Sequence, residues 1–509
     1  MPPTTITLDR RENQARGLAR YAIDFVTGLY PGAEQEVVEQ VERFHRDSIA
    51  CGASALAMRT NAPTVLRQEA FCYRSVEPRQ GVPCFGSSQR VMPEKAVLAN
   101  CAAVREWDAN GTNFGFNPAR GATRGEFGHN DFYPVVVAAA QLAGWDGIQT
   151  TQAMICLDEI RGRLAEVFSL KQHKIDHVLH GAIASAAVYA AMLGASVDEI
   201  ESALGLVVAH SVPFRAIRAG HQLSDSKGAS AAISAEQAVI AVQRAMRGFV
   251  GPADIFRNPE AVFCWFEKPE RPDESPFDLT LATAGTDFAV MGMHFKLGLY
   301  EHQSAGAIQA LIDLLQRYPQ VATDPGEIDR VRIRIYQPAL GIIGDPAKRD
   351  PRTRQSADHS MVYIIATLLR KAIQGHEASW EALMLLPDDY QPPSLFDPLT
   401  RELIERIEFV HGGPDYDAKY PDGIPTSLEI EHTRLGRVSS GLVMYPAGHA
   451  RNPREDLDRL IKIKFSRLAS LAVDDVDALW RRFSDLASKG PREIDRLYDF
   501  AIRGCADEE

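Results

Sequence analysis

Apolar residues recur at three- and four-residue spacing from residue 12 to about 250, among strong helix formers and with little β-branched alternation. That pattern predicts an all-helical first half. Residues 93–108 illustrate it. Pro93 suits a first turn, Val97, Cys101, Val104 and Trp107 form one apolar stripe, and Asn110-Gly111 is a stop signal, so Asp108 is expected at a helix end. A second helix is predicted over 131–143, with Asp131 as its N-cap and Gly144 closing it. The connection between the two carries five glycines from Gly111 to Gly128 and shows no periodicity. A loop of that length is more often functional than incidental. The alanine-rich stretches 177–193 and 228–246 are predicted core helices that pack through small side chains.

The character changes at KPERPDESPF (268–277), a polar, proline-rich, linker-like stretch. Beyond it VRIRIY (331–336) alternates at period two, IERIEFV (404–410) does so less strictly, and 427–445 reads as a hairpin turning near Gly436. This predicts an α+β domain with an antiparallel sheet, and the last 55 or so residues return to helical spacing. The expected organisation is a helical domain over 1–285, an α+β domain over 286–448, and a C-terminal helical segment over 449–509 that packs back on the first. A chain of 509 residues exceeds what one hydrophobic core usually supports, which agrees with more than one domain.

Composition narrows the function classes. With 45% hydrophobic and 24% charged residues and no uninterrupted apolar run of membrane-spanning length, a soluble protein is expected. The first residues lack an apolar segment behind a basic flank, so secretion is not expected and a cytoplasmic location is. Seven scattered cysteines without a CxxC pair are neither a disulfide framework nor a zinc or iron–sulfur cradle. A net charge of -12 with no Lys/Arg run interleaved with aromatics argues against nucleic acid and anionic membranes as partners, while leaving room for a locally basic pocket. Walker, Rossmann and GxSxG signatures are missing from the sequence.

Several clusters could carry chemistry. WDANGTN (107–113) and GEFGHND (125–131) bring Asp108, Asn113 and His129 to the two ends of the glycine-rich loop. Taken alone they read as ordinary loop and capping residues. In HKIDHVLH (173–180) the spacing of His173 and His177 invites a zinc reading, but Lys174 stands where HExxH needs glutamate and Asp176 reads as an N-cap that leaves His173 outside the helix. His177 at a helix start would be kept neutral by the positive helix end. FRAIRAGHQLSDSKGAS (214–230) places Arg215 and Arg218 one turn apart, followed by Lys227 ahead of a helix, a pattern suited to carboxylates. His302-Gln303-Ser304, DHSMVY (358–363) and YPAGHARN (445–452) mean little by spacing alone.

Taken in order, WDANGTN, GHNDFYPVVVAAA, DHVLHGAIASAAVYAAMLG, SDSKGASAA, FKLGLYEHQSAGAIQAL, TRQSADHSMVYI and YPAGHARN resemble segments of the MmgE/PrpD family along nearly the whole chain. The resemblance implies a large helical domain with a smaller α+β lid, an active site between them, and a homodimer. It also implies a cofactor-free, metal-free lyase acting on a small tricarboxylic-type acid. Dehydration of 2-methylcitrate is the leading reaction, decarboxylation of cis-aconitate or epimerisation of a related dicarboxylic acid the alternative, and a non-catalytic acid-binding relative a third reading. Asp108, His129, His177, Lys227 and His302 match the family's catalytic positions. Arg215 and Arg218 are implied substrate-carboxylate contacts, and Asn113 and Gln303 are candidates beside them. Twenty residues separate Asp108 from His129, a longer connection than the resemblance implies, and this brings in Arg120 and Arg124 as candidates for the pocket.

Overall fold

The computed structural model describes residues 4–77, 80–113, 115–123, 125–126, 128–218, 222–343, 348–452 and 456–505; of residues 113, 123, 128, 129, 218, 342 and 343 it describes the backbone alone. His129, Asn113 and Arg218 are therefore placed by their backbone only, and Arg124 lies outside the described residues. The chain divides into two compact units. One comprises residues 1–217, 228–293 and 468–509, the other residues 218–227 and 294–467.

The first unit is built around helix Val178–Met192, in which every residue is buried. A helix that is apolar all round has no face to give to water and must lie inside a bundle. Helices Gln14–Val26, Tyr133–Ala143, Gly147–Val167 and Val197–His210 pack against it. Its small residues permit close approach: a Cβ on Gly181 would sit 2.0 Å from the Phe132 ring. Local chemistry sets the helix starts. Ser196 and Glu199 form a reciprocal capping box at the head of Val197–His210, and Asp146 and Gln149 do the same for Gly147–Val167. The unit also holds short strand pairs, among them Thr5–Leu8 antiparallel to Leu279–Ala282. Residues 268–277 lie within it, where the Ser275 N–H donates to the Arg10 carbonyl.

In the second unit the strand order is Ile407–His411, Ile328–Ile335, Thr426–His432, Gly436–Ser439. The central strand pairs antiparallel with Thr426–His432 but parallel with Ile407–His411, so the sheet is mixed, not wholly antiparallel as its strand patterns suggested. The reason is the connection: the chain between the two parallel strands runs through helix Met361–Gly375, and a crossover of that length allows parallel pairing. The alternation of VRIRIY is visible in the strand itself, with Val331, Ile333 and Ile335 buried. Arg332, on the other face, reaches Glu408 and Glu431 on the strands either side. Helix Ala305–Arg317 packs on Thr426–His432, where a Cβ on Gly306 would come 2.4 Å from Thr426 Oγ1 and 2.6 Å from the Ile424 carbonyl. No helix among the described residues is long and apolar enough to cross a membrane.

Helix packing in the first unit can be tested at Gly205, where an added Cβ would meet the Pro252 carbonyl oxygen at 1.9 Å. Backbone cannot swing aside as a side chain can, so Gly205→Ala is expected to cost about 1–3 kcal/mol in urea unfolding despite its better helix propensity. A stabilised variant would contradict this packing.

Candidate functional site

The glycine-rich connection is not structureless. Helix Pro93–Glu106 ends two residues before Asp108, and past it Thr112–Asn113 pairs antiparallel with Gly128–His129. Inside that ladder Phe116–Asn117 pairs with Ala122–Thr123 around a turn closed by Gly121 at φ 72°. Two short hairpins are thus nested, and the outer one brings the His129 backbone opposite Thr112.

A buried guanidinium closes the base of this hairpin. Arg105 Nη1 donates to Asp108 Oδ1 at 3.1 Å and Arg105 Nε lies 3.6 Å from Asp131 Oδ2, with all three side chains at most 2% exposed. Asn110 Nδ2 donates to the other Asp131 oxygen. Asp131 does not cap the helix that follows: Phe132 holds the N-cap position of Tyr133–Ala143, and the aspartate faces Asn110 and Arg105 instead. Asn130 adds a backbone bond to the Gly111 carbonyl at 3.2 Å.

The far part of the hairpin is fastened to neighbouring chain of the same unit. Glu126 accepts from Ser169 Oγ and from the Lys171 N–H, both at 2.8 Å, and Asn117 reaches Glu166 at 3.3 Å. Arg120, a pocket candidate on sequence, is held by Asp287 at 2.7 Å, a carboxylate that also takes Arg163.

His177 occupies the N-cap position of helix Val178–Met192, one residue before the predicted first turn. Its Nδ1 lies 3.0 Å from Asp176 Oδ1, with the aspartate fully buried. The Asp176 N–H donates to the Pro213 carbonyl, and the Arg215 N–H to the Lys174 carbonyl, both at 2.8 Å. The segment carrying Arg215 therefore runs beside the one carrying His177. His173 points elsewhere, stacked on Phe266 at 4.8 Å and 3.2 Å from Glu267. One turn into the helix His180 is buried, and neither ring nitrogen has a hydrogen-bond partner among the described residues. Burial foremost, then His177 and Arg161, pushes its pKa down to about 3. His45 in the same unit is buried edge-on to Tyr133 and pushed down to about 3, mainly by burial and secondarily by Arg46.

In the second unit Lys227 Nζ donates to Asp358 Oδ1 at 2.9 Å, both side chains being 2% exposed. His302 opens a 3-10 turn, His302–Ser304, leading into helix Ala305–Arg317. Its ring stacks on His294 at 5.4 Å, and His294 stacks on His449 at 4.0 Å. The Ala450 N–H donates to His294 Nδ1 and the Arg451 N–H to His449 Nδ1, so each of these rings carries its proton on Nε2. Burial pushes His449 down to about 4, and burial, His449, His302 and Arg451 push His294 well below the ordinary range. Gln303 is fully buried, with no hydrogen-bond partner for its amide among the described residues.

Sequence reasoning overlooked Arg105, Asp131 as its partner, Asp176 as the companion of His177, and His294, and it gave no role to Asp358 and His449 within DHSMVY and YPAGHARN. Arg105 and Asp108 stand three apart at a helix end, a spacing that signals a pair. Lys227 and Asp358 are 131 residues apart and carry no local signal. Within each unit taken by itself, the described residues bring no three histidine, cysteine or carboxylate ligand atoms within reach of one ion. A cleft of about 1060 Å³ among the C-terminal helices, lined by Arg481, Arg482, Arg492 and Arg496, contains none of the residues singled out above.

Removing Arg105 takes the buried cation away from two buried carboxylates, so Arg105→Met is expected to lose about 3–5 kcal/mol in urea unfolding, and Arg105→Lys less. A near-neutral Arg105→Met would show that the guanidinium does not hold the hairpin base. A second expectation concerns pH. Unfolded histidines take up protons near pH 6.5, but folded His45 and His180 do so only at about 3 and His449 at about 4. Between those values the unfolded state binds more protons, so stability falls as pH is lowered from about 6.5, by up to about 1.4 kcal/mol per pH unit for each histidine, and levels off near the folded values. Urea midpoints at pH 7, 6 and 5 measure this; a flat series would contradict the buried neutral rings.

Comparison with known proteins identifies the family. The MmgE/PrpD N-terminal domain matches residues 18–275 and the MmgE/PrpD C-terminal domain residues 300–485. Among individual relatives, a 2-methylcitrate dehydratase of Escherichia coli (strain K12) is 26% identical over 63% of this chain and 64% of its own length, so the match spans less than two thirds of that relative. One of Escherichia coli O157:H7 is 24% identical over 83% of this chain and 84% of its own. A fungal protein named alkylcitrate dehydratase phiI is 23% identical over 68% and 65% respectively. With both domain models matched in order along the chain, this protein belongs to the MmgE/PrpD family.

Proposed function

We propose that the chain is a lyase that dehydrates a citrate-like tricarboxylate by acid/base chemistry, with 2-methylcitrate as the leading substrate. The observation that carries this reading is the buried pair of Asp176 and His177. A carboxylate at Nδ1 holds the imidazole in one tautomer and leaves Nε2 to take a proton. Dehydration removes a weakly acidic C–H next to a carboxylate and expels a hydroxide that must be protonated as it leaves. His177 takes the carbon-bound proton, and His129 serves as the acid toward the hydroxyl. Asp108, paired with Arg105, orients a neighbouring group or assists proton transfer. Lys227 and Arg215 hold substrate carboxylates and the charge that develops when the C–H bond breaks. His302 and Gln303 are assigned to the substrate's polar groups, the buried amide of Gln303 being a ready donor and acceptor. Arg218 and Asn113 remain candidate carboxylate contacts. The names of the relatives support the substrate class.

The test is ultraviolet absorbance near the unsaturated-acid band when purified, EDTA-treated protein meets 2-methylcitrate, citrate and cis-aconitate separately. A rise with 2-methylcitrate alone is the expected result. Loss of cis-aconitate with release of carbon dioxide would make the chain a decarboxylase, and silence on all three would remove the dehydratase reading. His177→Ala is expected to lower kcat by about a hundred- to ten-thousandfold. Near-complete activity in that variant would overturn the assignment of the base.

A further inference from the structure

The carboxylate that meets Lys227 does more than neutralise it. Asp358 Oδ1 also lies 2.7 Å from His359 Nδ1, while its Oδ2 accepts from Arg354 Nη1 at 3.3 Å. Its backbone is equally engaged: the N–H donates to the Arg354 carbonyl at 3.0 Å, and the carbonyl accepts from the Glu301 N–H at 2.7 Å. Glu301 is the residue immediately before His302. A single buried aspartate thus fastens the Lys227 ammonium at its side chain and the start of the His302 turn at its main chain.

We propose that Asp358 is a positioning residue of the reaction, holding Lys227 in place as an ammonium ion and tying that ammonium to the turn that carries His302. The inference rests on the reading of Lys227 and His302 given above. It deepens that reading by naming what keeps the lysine charged.

The chemistry favours it. An amine with 2% of its side chain exposed is driven toward its neutral form by desolvation, and only an adjacent anion reverses that preference. The aspartate can serve as that anion because its own ionised state is supported: burial opposes it, but Lys227, His359 and Arg354 together hold its carboxyl below the usual range. Two contacts on one oxygen and one on the other leave the carboxylate a single orientation, which in turn leaves Lys227 Nζ a single place. The consequence is a division of labour. Lys227 acts as a fixed positive charge for a substrate carboxylate and does not shuttle protons, so a neutral lysine would bind that carboxylate poorly and stabilise no developing charge.

Two readouts separate positioning from a purely structural role. The first needs no substrate. Acetic anhydride labelling of Lys227 at pH 8, followed by peptide mass spectrometry, is slow while the amine is held protonated. Asp358→Asn is expected to raise its rate about tenfold or more, and Asp358→Glu, which keeps the charge, to leave it near the wild-type rate. Labelling of Lys227 that is unchanged in Asp358→Asn overturns the proposal. The second is a double-mutant cycle in kcat and KM on the acid the enzyme turns over. Asp358→Asn is expected to lower kcat/KM about a hundredfold in the wild-type background, but less than about threefold when Lys227→Met is already present. Additive losses would mean that Asp358 acts through something other than Lys227. If Asp358→Asn does not fold by circular dichroism, Asp358→Glu decides: slow labelling with kcat reduced about tenfold supports positioning, and wild-type kcat contradicts it. If the wild type turns over none of the three acids, the dehydratase reading fails by itself, and the labelling result still decides whether Asp358 holds Lys227 charged.

Discussion

The guanidinium of Arg105, out of reach of water and set between Asp108 and Asp131, is the interaction on which the first unit's candidate site depends. Helix Pro93–Glu106 delivers the arginine, and the chain then departs on a hairpin of some twenty residues before helix Tyr133–Ala143 begins. Loop closure of that length costs little extra entropy in itself, but it also specifies nothing about where the two ends meet. Arg105 supplies the specification. It engages an aspartate at each end, Asn110 donates to the other oxygen of Asp131, and Thr112–Asn113 pairs with Gly128–His129. A buried charge costs a great deal when unpaired, so departures that part the guanidinium from either carboxylate are penalised.

The second unit repeats the logic with opposite signs. There an aspartate is the centre and the cations gather round it, and the same residue reaches the His302 turn through its main chain. The neighbouring rings of His294 and His449 carry no charge, because backbone N–H groups occupy their Nδ1 atoms and burial opposes protonation. For the proposed dehydration, charged groups held by buried partners beside imidazoles held neutral would let each group act in one defined state.

Much of this was legible in the sequence, and the parts that were not have physical reasons. Helical periodicity located Pro93–Glu106, Tyr133–Ala143 and Val178–Met192 because each buries a face or its whole circumference. Period-two alternation located Ile328–Ile335, but could not reveal that its partner Ile407–His411 runs parallel, since direction is decided by the crossover and not by the strand. The nested hairpins of 112–129 escaped because two-residue strands have no alternation to show. Asp131 looked like a helix cap because caps and buried ion-pair partners draw on the same residue types; only the spatial neighbour Arg105 distinguishes them. Lys227 stood out through its Gly/Ser-rich surroundings and the family resemblance, whereas Asp358, although inside the DHSMVY segment, is 131 residues away and gave no sign of pairing with it.

The central claim is that this protein makes and breaks a carbon–hydrogen bond next to a carboxylate with its own acid and base groups. Running the reaction backwards in deuterium oxide tests it most directly. Supplied with 2-methylaconitate, the enzyme should return 2-methylcitrate carrying one non-exchangeable deuterium on the methyl-bearing carbon, in a single stereochemical sense by nuclear magnetic resonance. Hydrated product without deuterium at that carbon, or with it scrambled, would contradict proton delivery by a positioned residue.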